Sequence, residues 1–133
     1  MASKISVDTS VWIDFLRNKN QDLYAKVVDL LESDSLVMPF PCFIEIMNGT
    51  RKSELKKIQW ALSGIEKLEP SIAAWQLASR YSVESKMAGE NFSSLDLIIA
   101  ASTNDLSVPI WTFDKDFVRM SEKFKWIQLY QGT

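Results

Sequence analysis

Apolar and polar positions alternate in two periods along this chain. Ile5 and Val7 alternate with Lys4 and Ser6, which predicts a short strand from Lys4 to Asp8. A short helix follows from Val11 to Leu16 and stops at Asn18-Lys19-Asn20. Leu23, Val27, Leu30 and Leu31 recur at helical spacing, so 21–33 is an amphipathic helix. Leu36-Val37-Met38 is a second strand. Pro41 suits the first turn of a helix over 43–48, with Gly49 placed to end it. Ser53 is placed to cap a helix carrying Leu55, Ile58, Leu62 and Ile65 on one face.

The second half of the chain repeats the pattern. Lys67-Leu68-Glu69 is a short strand before Pro70. Ser71 caps a long helix to about Ala88, with Ile72, Trp75, Ala78 and Tyr81 expected inward. Ser93 or Ser94 caps another, whose core face is Leu95, Ile98, Ile99 and Ser102. Ile110 to Phe113 is a strand, Asp116 to Met120 a short helix, and Trp126 to Tyr130 a last strand. Strands alternating with helices imply an α/β fold, a parallel sheet covered on both faces. No repeat, low-complexity tract or linker interrupts it, so 1–133 reads as one domain. In such sheets ligands collect outside the carboxyl ends of the strands.

Composition narrows the chemistry. The 133 residues include no His, which removes Ser-His-Asp and Cys-His nucleophiles and His-ligated zinc. Cys42 is the one Cys, so there is no internal disulfide and no Cys-cluster metal site, and the residue reads as a small buried apolar group. The four Gly are scattered and form no phosphate-cradling loop. A net charge of −2 argues against a generic basic nucleic-acid binder, though not against a local basic patch. The N-terminal residues lack a signal-peptide core, and no apolar run approaches the roughly 18 residues of a membrane span. The expected location is the cytoplasm.

What remains is acidic. Asp8 closes the first strand, and Asp114 follows the strand Ile110–Phe113, with Asp116 two residues on. Glu45 lies in the helix after the second strand, and Asp96 lies in the first turn of a later helix. Each Asp also has a structural explanation as a helix cap, turn former or partner of the helix dipole. Glu45 is different, because Phe43, Ile44, Ile46 and Met47 surround it and a buried carboxylate needs a partner. Carboxylates brought together repel one another and take up protons unless a cation intervenes. Oxygen-only ligands suit Mg²⁺ or Mn²⁺, and such an ion supports phosphodiester hydrolysis without His.

Four blocks carry a resemblance. They are Val7-Asp8-Thr9-Ser10-Val11, Phe43-Ile44-Glu45-Ile46-Met47-Asn48-Gly49, Ser94-Leu95-Asp96-Leu97-Ile98-Ile99-Ala100-Ala101 and Thr112-Phe113-Asp114-Lys115-Asp116-Phe117. In order and spacing they resemble the signature blocks of PIN-domain ribonucleases, in the small form typical of VapC-type toxins of toxin–antitoxin pairs. The resemblance implies a three-layer fold, with a short parallel sheet and helices on both faces. It implies endonucleolytic cleavage of RNA with Mg²⁺ or Mn²⁺, and a site of Asp8, Glu45, Asp96 and Asp114. Asp116 matches a further acid beside the fourth, and Thr9 and Thr112 match hydroxyl positions beside the first and fourth. It also implies a cognate antitoxin as partner and a homodimer.

Other features have two readings each. Arg51, Lys52, Lys56 and Lys57 could hold RNA phosphates or form a solvated helix face, and Arg17, Arg80 and Lys86 stand alike. Trp12 and Trp60 flank polar segments and are candidates for a partner surface. The stripe Leu23, Val27, Val28, Leu30 and Leu31 serves the core or an antitoxin groove. Two other function classes compete with the nuclease. An aspartate-based phosphatase would need a second Asp where Ser10 stands, and a receiver-type phosphoacceptor would need paired acids on the first strand. A non-catalytic PIN-like module would use the same acids to bind a basic partner segment.

Overall fold

The structure, a computed structural model, describes residues 3–131. Four short strands form one all-parallel sheet: β1 (Ile5–Val7), β2 (Leu36–Pro39), β3 (Glu66–Leu68) and β4 (Ile110–Trp111). Their order across the sheet is β3-β2-β1-β4. β1 is central, and its burial on both faces explains why Ile5, Ser6 and Val7 are all buried rather than alternating. The helices are α1 (Thr9–Arg17), α2 (Gln21–Glu32), α3 (Phe40–Asn48), α4 (Leu55–Leu62), α5 (Ile72–Met87), α6 (Ser94–Asn104) and α7 (Lys115–Lys123). Sheet and helices together make a three-layer α/β fold.

Register sets the site. Ser6 pairs with Ile110 and Val7 with Trp111, while Ile5 pairs with Leu36. The carboxyl ends of β1, β2 and β4 therefore emerge along one edge of the sheet. There they lead directly into Asp8, into α3 and into Thr112. Under this edge lies a core built on Val7, Val11, Trp12, Met38, Cys42, Leu97, Ile99 and Phe117. α6 is the most buried helix, with every residue from Leu97 to Thr103 inside.

Several expectations need correction. Trp12 is wholly buried, not a partner surface, because its indole Nε1 donates to Val7 O at 3.0 Å and so belongs to the core. Trp60 is 82% exposed on α4. Ile72 and Trp75 face outward on α5; Ala78 is buried and Tyr81 half-buried. The small residues Ala74, Ala78 and Ser85 form the inner face, where α5 packs closely on α6. Ser53 caps no α-helix: it sits inside a single 3-10 turn, Lys52–Glu54, ahead of α4. The apolar stripe on α2 serves the core: Val27 is fully buried, and Leu23, Leu30 and Leu31 pack partly buried against it. β4 ends at Trp111, and the expected last strand contributes a single bridge, Leu129 to Ile110. The chain beyond α7 is held by ring packing among Tyr81, Phe124 and Trp126 and by backbone hydrogen bonds of Gln128 and Tyr130 with Ile110.

Candidate metal centre

The site begins at the end of β1. Asp8 is buried, at 4% exposure, and is the N-cap of α1. Its Oδ2 accepts from Ser10 Oγ at 2.8 Å, Thr112 Oγ1 at 2.9 Å and Ser10 N at 3.4 Å. The two hydroxyls also accept from the opposite strand end: Phe113 N donates to Ser10 Oγ at 3.0 Å, and Asp114 N donates to Thr112 Oγ1 at 2.9 Å. Each hydroxyl thus ties the Asp8 carboxylate to the backbone after β4. Asp8 N itself donates to Trp111 O at 2.9 Å. Burial pushes the Asp8 carboxyl above the ordinary range, opposed by the bonds from Ser10 and Thr112.

Glu45 has the partner that its apolar neighbours demand. Thr9 Oγ1 donates to Glu45 Oε1 at 2.6 Å, linking α1 to α3. Cys42, one turn before Glu45, is fully buried beside the same Thr9. Burial, with the charges of Asp8 and Glu45, pushes its thiol far up, so the residue is inert packing.

The third and fourth elements supply a tighter cluster. Carboxylate oxygens of Asp96, Asp114 and Asp116 all lie within 4.8 Å of one another. Asp96 sits in the first turn of α6, where Ser93 Oγ caps the helix by accepting from Asp96 N at 3.0 Å. Asp114 caps α7, and its Oδ1 accepts from Asp116 N at 2.9 Å. The Asp96 carboxyl is pushed up to about 6, first by burial and then by the charges of Asp114, Asp8 and Glu45. A donor set made only of carboxylate oxygens fits a hard divalent cation such as Mg²⁺ or Mn²⁺.

The structure therefore brings Asp96, Asp114 and Asp116 into one cluster. Asp8 and Glu45 are outside that 4.8 Å group, and each is held by hydroxyls of α1 or of the β4 end. Thr9 and Thr112 are both engaged as donors to acids. Ser10 and Arg119 are additional polar residues of this region. The signal for Ser10 lay in the run Asp8-Thr9-Ser10, where a hydroxyl two residues after a cap can fold back onto it. Arg119 donates to Asp116 Oδ1 at 2.6 Å and to Glu90 Oε2 at 2.7 Å. Of the basic candidates, Arg51, Lys52, Lys56 and Lys57 are exposed around the start of α4. A recess of about 420 Å³ lies nearby, with Ile13, Leu16, Ile46 and Ile58 as apolar lining and Arg17 and Arg51 among its polar residues.

A comparison with curated proteins finds no match to the sequence. The fold is similar to a chain in the crystal structure of VapBC2 from Rickettsia felis bound to a DNA fragment from its promoter. The TM-score there is 0.78 at 15% identity, over 95% of this chain and 96% of that one. It is similar to a chain of VapBC-1 from nontypeable Haemophilus influenzae, at 0.75 and 22% identity over 95% and 96%. A third similar structure is VapBC-5 of Mycobacterium tuberculosis, a member of the VapBC family of toxin–antitoxin systems, at 0.67 and 18% identity over 99% and 100%. The PIN domain family matches residues 5–123, a span that holds all five acids and both threonines, and the chain belongs to that family.

Proposed function

We propose that this chain is a metal-dependent endoribonuclease, the toxin of a type II toxin–antitoxin pair acting in the cytoplasm. The observation that carries the reading is the convergence of Asp96, Asp114 and Asp116 within 4.8 Å in a chain of the PIN domain family. Asp8, Glu45, Asp96, Asp114 and Asp116 would hold Mg²⁺ or Mn²⁺, which when bound supplies Lewis-acid stabilisation of charge on a phosphoryl oxygen. The chain's own residues do the rest. Ser10 and Thr112 fix the plane of the Asp8 carboxylate, and Thr9 fixes that of Glu45. A carboxylate of the cluster accepts a proton from water as the water attacks phosphorus in line. The opposite phosphorus–oxygen bond then breaks, and the departing oxygen takes a proton from solvent. Arg51, Lys52, Lys56 and Lys57 hold backbone phosphates of the RNA on approach.

The partner is an antitoxin. Three similar folds belong to VapBC assemblies, and the recess around Ile13, Leu16, Ile46 and Ile58 offers an apolar floor to an amphipathic segment. Ile46 of α3 is one wall of that recess. A homodimer through the exposed apolar residues of α5 (Ile72, Trp75, Val83 and Met87) completes the reading.

The test is cleavage of a mixed RNA pool by the purified chain, with Mn²⁺, with Mg²⁺ and with chelator, beside Asp96→Asn. Cutting that needs the metal and falls roughly a hundredfold or more in the variant is the expected result. Undiminished cutting by Asp96→Asn would sink the assignment.

A further inference from the structure

We infer that Arg119 is a positioning residue that orients Asp116 toward the carboxylate cluster, with Glu90 as its anchor. The inference rests on the metal reading of that cluster. Arg119 lies one helical turn after Asp116 on α7 and uses both arms of its guanidinium. Nη1 donates to Asp116 Oδ1 at 2.6 Å, and Nη2 donates to Glu90 Oε2 at 2.7 Å. The Arg119 Cζ lies over the Phe92 ring, 4.9 Å from the centroid. A planar fork on a stem is suited to this double task, and an ammonium is not.

The anchor is itself fixed. α5 ends in a left-handed residue, Gly89, at φ 81°. Gly89 N donates to Lys86 O at 3.1 Å, and Glu90 N donates to Ser85 O at 2.8 Å. This paired closure sets the direction in which Glu90 leaves the helix. Phe92 is buried and packs edge-on against Phe124. Arg119 is thus clamped from below by a ring and from the side by a residue 29 positions away in sequence.

An isolated surface ion pair contributes little to stability. The consequence is orientation. The Asp116 side chain is 45% exposed, so its rotamers are free unless something selects one. Glu90 and Asp116 together offset the guanidinium charge, so Arg119 acts on the cluster through geometry more than through repulsion of a cation. Partners of this kind behind a ligating carboxylate typically contribute tenfold to a hundredfold in metal affinity.

The test is calorimetric titration of the full chain with Mn²⁺ alone, for the unsubstituted protein and for Arg119→Ala, Arg119→Lys, Glu90→Gln and Asp114→Asn. Melting curves of each variant accompany the titrations. Arg119→Ala should bind Mn²⁺ about tenfold more weakly, and Arg119→Lys should not restore it. Glu90→Gln should lose several-fold with no change in melting temperature, and it carries the test if Arg119→Ala does not fold. RNA cleavage by Arg119→Ala should recover to within a few-fold when Mn²⁺ is raised, the signature of positioning rather than catalysis. Affinity within twofold of the unsubstituted protein in both Arg119→Ala and Glu90→Gln overturns the inference and leaves the metal reading intact. No Mn²⁺ uptake by the unsubstituted protein, or uptake unchanged in Asp114→Asn, overturns the metal reading and this inference with it.

Discussion

Asp8 and Asp96 are both pushed above the ordinary carboxylate range by burial, yet their surroundings differ in kind. Around Asp8 the burial is opposed by donors that the chain provides: the Ser10 and Thr112 hydroxyls and the Ser10 amide. Around Asp96 the Ser93 hydroxyl opposes the shift, but the charges of Asp114, Asp8 and Glu45 add to it. One half of the site is satisfied by its own hydrogen bonds. The other half is left with like charges close together, a state relieved by protons or by a cation. The difference separates what builds the cleft from what equips it to bind.

Three substitutions sharpen that comparison. Thr112→Val keeps the side-chain shape but removes a donor to Asp8 and the acceptor for Asp114 N. It should lower stability by about 1–3 kcal/mol, read by urea unfolding in chelator. An effect no larger than that of Ser93→Ala, which loses a helix cap, would erase the contrast between the halves.

Asp96→Asn should do the opposite in chelator and raise stability by about 1–2 kcal/mol, after discounting for partial exposure. The sign follows from linkage. The Asp96 carboxyl is raised to about 6 in the folded chain, so the folded state binds more protons than the unfolded one between about pH 4 and 6. Metal-free stability from this group is therefore greatest at the acid end of that window and is lost as pH rises through it. Thermal melts from pH 4 to 7 should show the fall in the unsubstituted protein and a smaller one in Asp96→Asn, where the raised Asp8 carboxyl still contributes. Saturating Mn²⁺ should remove the fall.

The smallest effect expected is that of Gly89→Ala. A Cβ there meets nothing within 4 Å, so the cost is the left-handed backbone alone, about 1 kcal/mol. Melting measures it, and a Cβ tolerated without loss would show that the turn before Glu90 is less constrained than its hydrogen bonds imply.

Much of the cleft was legible because strand ends in an α/β fold are chemically privileged. Asp8 and Asp114 followed from their places at the ends of the expected strands. Their capping role and their place in the cleft proved compatible, since one carboxylate can accept from a helix amide and still face its neighbours. The partner of Glu45 was not legible, because Thr9 lies 36 residues away and only the packing of α1 on α3 brings it near. Trp12 misled because polar residues next to it in sequence sit on the other face of α1. Ile72 and Trp75 misled because α5 meets α6 through Ala74, Ala78 and Ser85, a small-residue face with little contrast in hydropathy. Arg119 and Glu90 look like ordinary surface charges until the turn at Gly89 sets them side by side.

The adjacency of β1 and β4 has a consequence in time. Thr112 and Asp8 bond across 104 positions of sequence, while β1, β2 and β3 are all complete by Leu68. At roughly 5–20 residues per second, a chain under synthesis waits about 5 to 20 s between displaying Asp8 and receiving Thr112 and Asp114. During that interval the growing polypeptide carries three strands and a half-built cleft. Until the fourth strand docks, the Asp8 carboxylate lacks its bond from Thr112, and that half of the site stays unassembled.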